Sequence, residues 1–391
     1  MLAIGIMSGT SLDGVDCALV AIDGVDSSTK VELKEFLTYP TPSCIRQRIL
    51  DECKPGDADA RLICSLNAEL GHLFSRAVSA LCEKAGITDS EISFVACHGQ
   101  TIWHEPEGSR DYFDDKPFHA GTLQIGDASI IAWEHNVRTV YDFRAMDVTA
   151  GGQGAPLVPF SELVLYGSQS KNRALLNIGG IGNITVLPKS YTSADVFAFD
   201  TGPGNMAIDE ATRRLFGTNM DAGGHIAAQG RVHQAALAEL MSCEYLTMAP
   251  PKSTGRELFG AQFVDRFIAA HSEMNPVDVV ATLTEFTAAS IAVCCQRFVA
   301  PAFDGVFDEL IIGGGGAHND TLVSRIAALL PDTQVCTQDE LGYSADAKEA
   351  IAFALLGNQT LQGRPSNIPT ATGASEPVIL GSIINPPRSA S

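Results

Sequence analysis

Apolar and polar positions alternate in two patterns along this chain. Residues 4–8 and 15–20 are apolar runs of strand length on either side of Ser8-Gly9-Thr10-Ser11-Leu12-Asp13-Gly14, which predicts a strand, a tight turn and a second strand. Residues 173–178 and 184–187 repeat that grammar around Gly179-Gly180-Ile181-Gly182. Further strands are expected at 31–37, 92–98, 122–125, 138–141, 196–199 and 309–312. Helical spacing predicts helices at 44–49, 58–84, 127–134, 205–216, 231–241, 260–270, 276–298 and 347–356. The polar stretch 105–119 reads as an insertion rather than a mobile flap. Glycine and proline at 151–159 mark irregular backbone and a crossover between lobes. The tail beyond 362 reads as irregular, apart from an apolar stretch at 378–384.

Alternating strands and helices with two well-separated glycine hairpins imply two α/β lobes around a cleft. The expected boundaries are 1–147 with about 364–391 for the first lobe and 148–363 for the second. The repeat suggests two related halves gripping one phosphate chain, against chance in a chain with 36 glycines.

Composition narrows the chemistry. The chain has 391 residues, 45% hydrophobic and 18% charged, as expected of a globular enzyme. Its formal net charge of −20 disfavours nucleic acid and anionic membranes as partners, and any phosphate must be met by local donors or metal. No apolar run approaches the length needed to cross a bilayer, and the first residues lack the pattern of a secretory signal. The ten cysteines form no CxxC pair, which argues against zinc and for a reducing cytoplasm.

Several residues are placed for chemistry. The first turn offers main-chain amides and three hydroxyls, from Ser8, Thr10 and Ser11, to an anion. Asp13 and Asp16 beside a phosphate make sense with a divalent cation between them; an ordinary Asp-Gly hairpin is the alternative. Asp200 ends an apolar strand before Thr201-Gly202-Pro203-Gly204, where it acts either as a general base or as a helix cap. Arg144 either holds a substrate carboxylate or pairs with Asp147, and His98 and Gln100 end a strand, with His98 either lining the site or merely structural. Gly313-Gly314-Gly315-Gly316 allows backbone to approach an adenosine or is only a turn. Lys252–Glu257 (Lys252-Ser253-Thr254-Gly255-Arg256-Glu257) is a basic island that either meets phosphate or lies solvated.

Together these stretches closely resemble the anhydro-N-acetylmuramic acid kinase family. The motifs run in order from Gly5 to Asp16, through His98-Gly99-Gln100-Thr101, Asp142-Phe143-Arg144 with Asp147, Gly151 to Pro159 and Asn177-Ile178-Gly179-Gly180. They continue through Phe199-Asp200-Thr201-Gly202-Pro203-Gly204-Asn205, Pro251 to Glu257 and Gly313-Gly314-Gly315. The resemblance implies a two-lobed actin/hexokinase-like, ribonuclease H-like fold with a central nucleotide cleft. It also implies ATP and Mg²⁺ as cofactors and a cytoplasmic homodimer in peptidoglycan recycling. The implied reaction opens 1,6-anhydro-N-acetylmuramate with water and phosphorylates O6. By matching motif, Gly9, Thr10, Ser11, Leu12, Asp13, Gly14, Val15 and Asp16 with Gly179, Gly180, Gly313, Gly314 and Gly315 bind ATP, and Asp13 binds the metal. Asp200 is the implied base; His98, Gln100, Arg144 and Asp147 bind the sugar. Phe160-Ser161-Glu162 departs from the family's Ala-Phe-His, and the 105–119 loop is longer than in several relatives. Rival readings are a related sugar kinase of the same fold and a non-catalytic sugar sensor.

Overall fold

The computed structural model describes residues 1–9, 12, 14–26, 29–52, 59–113, 116–189, 196–305, 307–341 and 346–387; at 109–113 and 116–117 only the backbone is described. The strands, in chain order, are β1 (Leu2–Ser8), β2 (Gly14–Asp23), β3 (Lys30–Pro40), β4 (Ile92–Glu105), β5 (Ser109–Phe113), β6 (Lys116–Phe118), β7 (Gly121–Ile125), β8 (Thr139–Tyr141), β9 (Arg173–Ile178), β10 (Ile181–Leu187), β11 (Phe197–Pro203), β12 (Glu309–Gly313), β13 (Gln334–Thr337) and β14 (Ser382–Ile384). The chain divides into two compact units, 1–165 with 346–391, and 166–345.

In the first unit the sheet runs β14-β8-β4-β1-β2-β3, with β7 paired to the far end of β4. β1, β2 and β3 form an antiparallel meander, and β4 and β8 continue parallel to β1. The second unit repeats this plan. Its sheet runs β11-β10-β9-β12-β13, with β9, β10 and β11 as the meander and β12 and β13 parallel to β9. An order of 3-2-1-4-5 with only the second strand antiparallel to the rest is the ribonuclease H-like arrangement. Its presence in both units makes the fold actin/hexokinase-like.

Each unit buries its own core. In the first, apolar residues of β1, β2 and β4 pack against the helix Ala60–Ala85, which Asp59 caps at its start and Gly86 ends in a left-handed conformation. On the opposite face lies the helix Lys348–Leu361. Gly5 permits that approach, because a Cβ there would lie 1.8 Å from the Ala350 carbonyl oxygen. In the second unit the core surrounds the helix Pro276–Cys294.

Four expectations change. The unit boundaries fall at 165/166 and 345/346 rather than at 147/148 and 363/364, because the helix 348–361 packs on β1 and β4. Residues 151–159 lie within the first unit rather than at the crossover, which comes at 165/166 near the end of the helix Val158–Tyr166, and part of the 105–119 loop is the β5–β6 hairpin. Residues 276–303 are, by length and composition, apolar enough to cross a membrane, but 78% of the most apolar window is buried and serves as core. The apolar stretch at 378–384, set apart from the irregular tail, ends in β14, which completes the edge of the first sheet by pairing with β8.

Candidate active site

In an open α/β sheet, ligand groups gather beyond the carboxyl ends of the strands. In the first unit the ends of β1, β4 and β8 share one edge, since the three strands are parallel. The Ser8 hydroxyl is buried and donates to Gln100 Oε1 at 2.7 Å, which ties the turn after β1 to β4. Of the turn itself, Thr10, Ser11 and Asp13 lie outside the described residues. The Leu12 side chain and Val15 are buried in the core, so they offer a ligand only main chain. The Leu12 N–H donates to Gly9 O at 3.3 Å, with Leu12 at a φ of 58°. Asp16, near the start of β2, is half-buried and accepts from the Thr38 hydroxyl at 2.7 Å. Burial first, and the Asp346 charge after it, push its carboxyl up, against the lowering effect of Thr38.

His98 is buried against the Phe353 ring. Its Nε2 accepts from Arg144 Nε at 2.8 Å, which fixes the ring proton on Nδ1, and that N–H donates to Gly99 O at 2.8 Å. Burial, then the Arg144 charge, push the imidazole down to about 3, so His98 is neutral and orients Arg144. Arg144 Nη1 donates to Gly154 O at 2.7 Å.

Asp147 is engaged by its own chain. It is fully buried; Oδ1 accepts from Asn367 Nδ2 and from the Thr372 hydroxyl, both at 2.8 Å, and Oδ2 from Gly154 N at 2.8 Å. It therefore fastens the 147–154 loop to the 367–372 segment. It reaches Arg144 only through Gly154, rather than by the ion pair considered from the sequence.

Glu349, which no sequence motif marks, lies on the first turn of the helix Lys348–Leu361. Desolvation first, and Asp16 as well, raise its carboxyl, while Lys348 and Arg144 lower it. Glu349, Asp16 and Arg144 thus share one electrostatic neighbourhood. The alternation of that helix signals only a core element, and its polar first turn looks solvated.

In the second unit three glycine turns meet at one edge, after β9, β11 and β12. The Gly179 N–H is bonded to Ile181 O at 3.1 Å, so it is not free for a phosphate. The carbonyls of Gly179 and Gly180 accept from the N–H groups of Asn205 (2.8 Å), Gly204 (2.9 Å) and Met206 (3.1 Å), which locks the turn to the helix Asn205–Phe216. Gly180 is exposed and its own N–H has no acceptor among the described residues. Gly313 is buried in the end of β12, while Gly314 and Gly315 form the turn. Gly314 has a φ of 76°, and a Cβ there would lie 2.7 Å from Asn177 Oδ1, so backbone strain and crowding both require glycine.

Asp200 lies on β11 and is half-buried. Its register with β10 shifts between Gly182 and Asn183, a bulge that redirects the strand there. Oδ1 accepts from Asn183 Nδ2 at 2.9 Å and Oδ2 from Thr254 N at 3.0 Å. Behind it the main chain is held too: Asp200 N donates to Lys252 O at 3.1 Å, and the Tyr245 hydroxyl donates to Asp200 O at 2.9 Å. Asp200 caps no helix, since Gly204 occupies the cap of the following one. The basic island resolves into separate roles. Lys252 is buried, 4.6 Å from the Tyr245 ring centroid and 5.1 Å from that of Phe298, and its ammonium donates to Tyr245 O. Thr254 grips Asp200, and Arg256 begins the helix Arg256–Phe259. The Thr254 hydroxyl oxygen is buried beside this carboxylate, without a partner among the described residues.

Among the described residues no cluster of three His, Cys, Asp or Glu side chains forms a ready metal site. The expected metal ligand, Asp13, lies outside them.

A family model described as anhydro-N-acetylmuramic acid kinase matches residues 1–386. A protein of that name from Clostridioides difficile is 49% identical over 387 residues, covering 99% of both chains. A namesake from Bacillus cereus is 46% identical over 390 residues, covering 99% of this chain and all of that protein. Another from Caldanaerobacter subterraneus is 46% identical over 387 residues, covering 98% of this chain and 96% of that one.

Proposed function

The chain belongs to the anhydro-N-acetylmuramic acid kinase family, and from that premise we propose that it converts 1,6-anhydro-N-acetylmuramate, ATP and water into N-acetylmuramate 6-phosphate and ADP. The observation that carries the mechanism is the half-buried Asp200 carboxylate, aimed by Asn183 and Thr254. Asp200 takes a proton from water as the water oxygen bonds to C1. The C1–O6 bond breaks, and O6 accepts the γ-phosphoryl group as the bond from γ-phosphorus to the β,γ-bridging oxygen breaks and ADP leaves. Thr254 Oγ1, a buried hydroxyl without a partner, suits the same water as a second hydrogen-bonding group.

Arg144, oriented by neutral His98, is assigned to the lactyl carboxylate of the sugar. The turn from Gly9 to Asp16, the open Gly180 amide and the turn at Gly314 and Gly315 are assigned to the nucleotide. Mg²⁺ would neutralise phosphate charge when bound. Magnesium commonly takes only one or two protein carboxylates and keeps several waters. Asp13 is one candidate ligand. Asp16 is the other, since burial and Asp346 already disfavour its bare charge. Every described cysteine is a free thiol, which suits a cytoplasmic place in cell-wall recycling.

The test is turnover in H₂¹⁸O with the anhydro-sugar and ATP. The expected product carries one phosphate on O6 and one ¹⁸O on C1. Label in phosphate alone, or sugar binding without ADP release, rejects the assignment, the latter in favour of a sensor.

A further inference from the structure

In the second unit, Met206, Asp209 and Arg213 lie on one face of the helix Asn205–Phe216, at the spacing that aligns side chains on a helix. This face, with Gly180, forms one side of a cavity of about 640 Å³; Arg256 and Gln262 line the other. A cavity of that size accepts a small-molecule ligand.

Its polar lining is incompletely paired. Glu210 forms ion pairs with Arg213 and Arg214. The Asp209 carboxylate and the Arg256 guanidinium have no partner among the described residues, and the Gly180 N–H is also open. Asp209 is half-buried; burial first, and Asp221 as well, push its carboxyl up to about 6, against Arg213. It remains mostly ionised at neutral pH, a desolvated acceptor in need of a donor. A molecule with hydroxyls at one end and phosphate at the other matches the free carboxylate, guanidinium and amide. Asn205, one turn before Asp209, has its Nδ2 3.7 Å from where a Cβ on Gly315 would sit. A nucleotide resting on the Gly314–Gly315 turn therefore has this helix as its neighbour.

We propose that the cavity takes the ribose of the nucleotide and that Asp209 accepts a hydrogen bond from a ribose hydroxyl, selecting ribonucleotides over deoxyribonucleotides. The inference rests on the ATP-dependent reading above.

Calorimetric titration of the full chain with ATP, 2′-deoxy-ATP and 3′-deoxy-ATP, without sugar, tests it. Wild type is expected to bind at least one deoxynucleotide about tenfold or more weakly than ATP, as for loss of a hydrogen bond to a charged acceptor. Asp209→Ala and Asp209→Asn should bring ATP down to that level and erase the preference, raising KM for ATP while kcat stays within about threefold by the same uniform-binding logic. Equal binding of all three nucleotides by wild type overturns the proposal, and so does a ribose preference that survives in a folded Asp209 variant. If both variants fail to fold, Asp209→Glu, which keeps the charge and moves the carboxylate, replaces them, and an unchanged ribose preference in it overturns the proposal. Failure to bind ATP at all, or binding without sugar phosphorylation, refutes instead the kinase reading beneath it.

Discussion

Replacing Asp200 by Asn removes the basicity of one group while keeping its shape. In the native site Asn183 Nδ2 donates to one carboxylate oxygen and Thr254 N to the other. The amide of Asn keeps one oxygen as acceptor and turns an NH₂ toward the second donor, which costs about 1–3 kcal/mol of stability. Loss of a general base lowers kcat by roughly 10²- to 10⁴-fold, a barrier increase of about 3–5 kcal/mol. Nucleotide affinity should be unchanged, because none of the contacts of the Asp200 side chain involves a glycine turn. The assay is ADP release coupled to NADH oxidation at saturating anhydro-sugar, beside calorimetric binding of ADP and a thermal melt. Turnover within about threefold of wild type, in a folded variant, refutes Asp200 as the base. A matched loss of nucleotide affinity and turnover with an unchanged melt makes Asp200 a binding group instead.

Gly5→Ala forces a Cβ to within 1.8 Å of the Ala350 carbonyl oxygen; a loss of at least about 3 kcal/mol is expected in urea unfolding, and a loss below about 1 kcal/mol refutes the packing argument. Asp147→Asn sets an NH₂ against the Gly154 N–H; about 1–3 kcal/mol is lost, and KM for the sugar rises as Gly154 releases Arg144, with kcat nearly unchanged. His98 stays neutral in the folded chain down to about pH 3, whereas an unfolded imidazole takes a proton near 6.5. The unfolded state therefore binds more protons between those values, and stability falls as pH is lowered through that window. The urea-midpoint advantage of wild type over His98→Gln should shrink from pH 7.5 to pH 4.5, and a constant gap contradicts the neutral assignment.

The elements that carry the site were readable where period and turn chemistry agree. The first hairpin, the second hairpin and the strand ending near Asp200 all combine a period of two with glycine punctuation. Burial decided by distant segments was not readable. Asp147 looks like a ligand-facing loop residue until Asn367 and Thr372, more than 200 positions away, close over it. Gly179 looks like a free amide until the geometry of its own turn engages it. Asp209 and Glu349 sit on ordinary helical surfaces, and nothing local distinguishes them from solvated charge. The boundary moved for a similar reason: the helix 348–361 has no sequence mark for the sheet it covers, and Gly5 on β1 reveals the match only in three dimensions.

The arrangement of the second unit also decides how an acidic chain meets phosphate. The first amides of the helix 205–216 would be the usual anion receptor. Here those of Asn205 and Met206, with Gly204 before them, are bonded to Gly179 and Gly180 carbonyls, so the helix end braces the hairpin turn. Lys252, two residues before the Asp200-gripping Thr254, is sealed among aromatic rings and holds the back of β11. On a chain of net charge −20, the proposed reading leaves the Gly180 amide and Arg256, neither with a partner among the described residues, to supply local attraction. On the proposed kinase reading, phosphate recognition in this unit would rest on a few unengaged donors, while most of the glycine-turn hydrogen bonds fix the place of those donors.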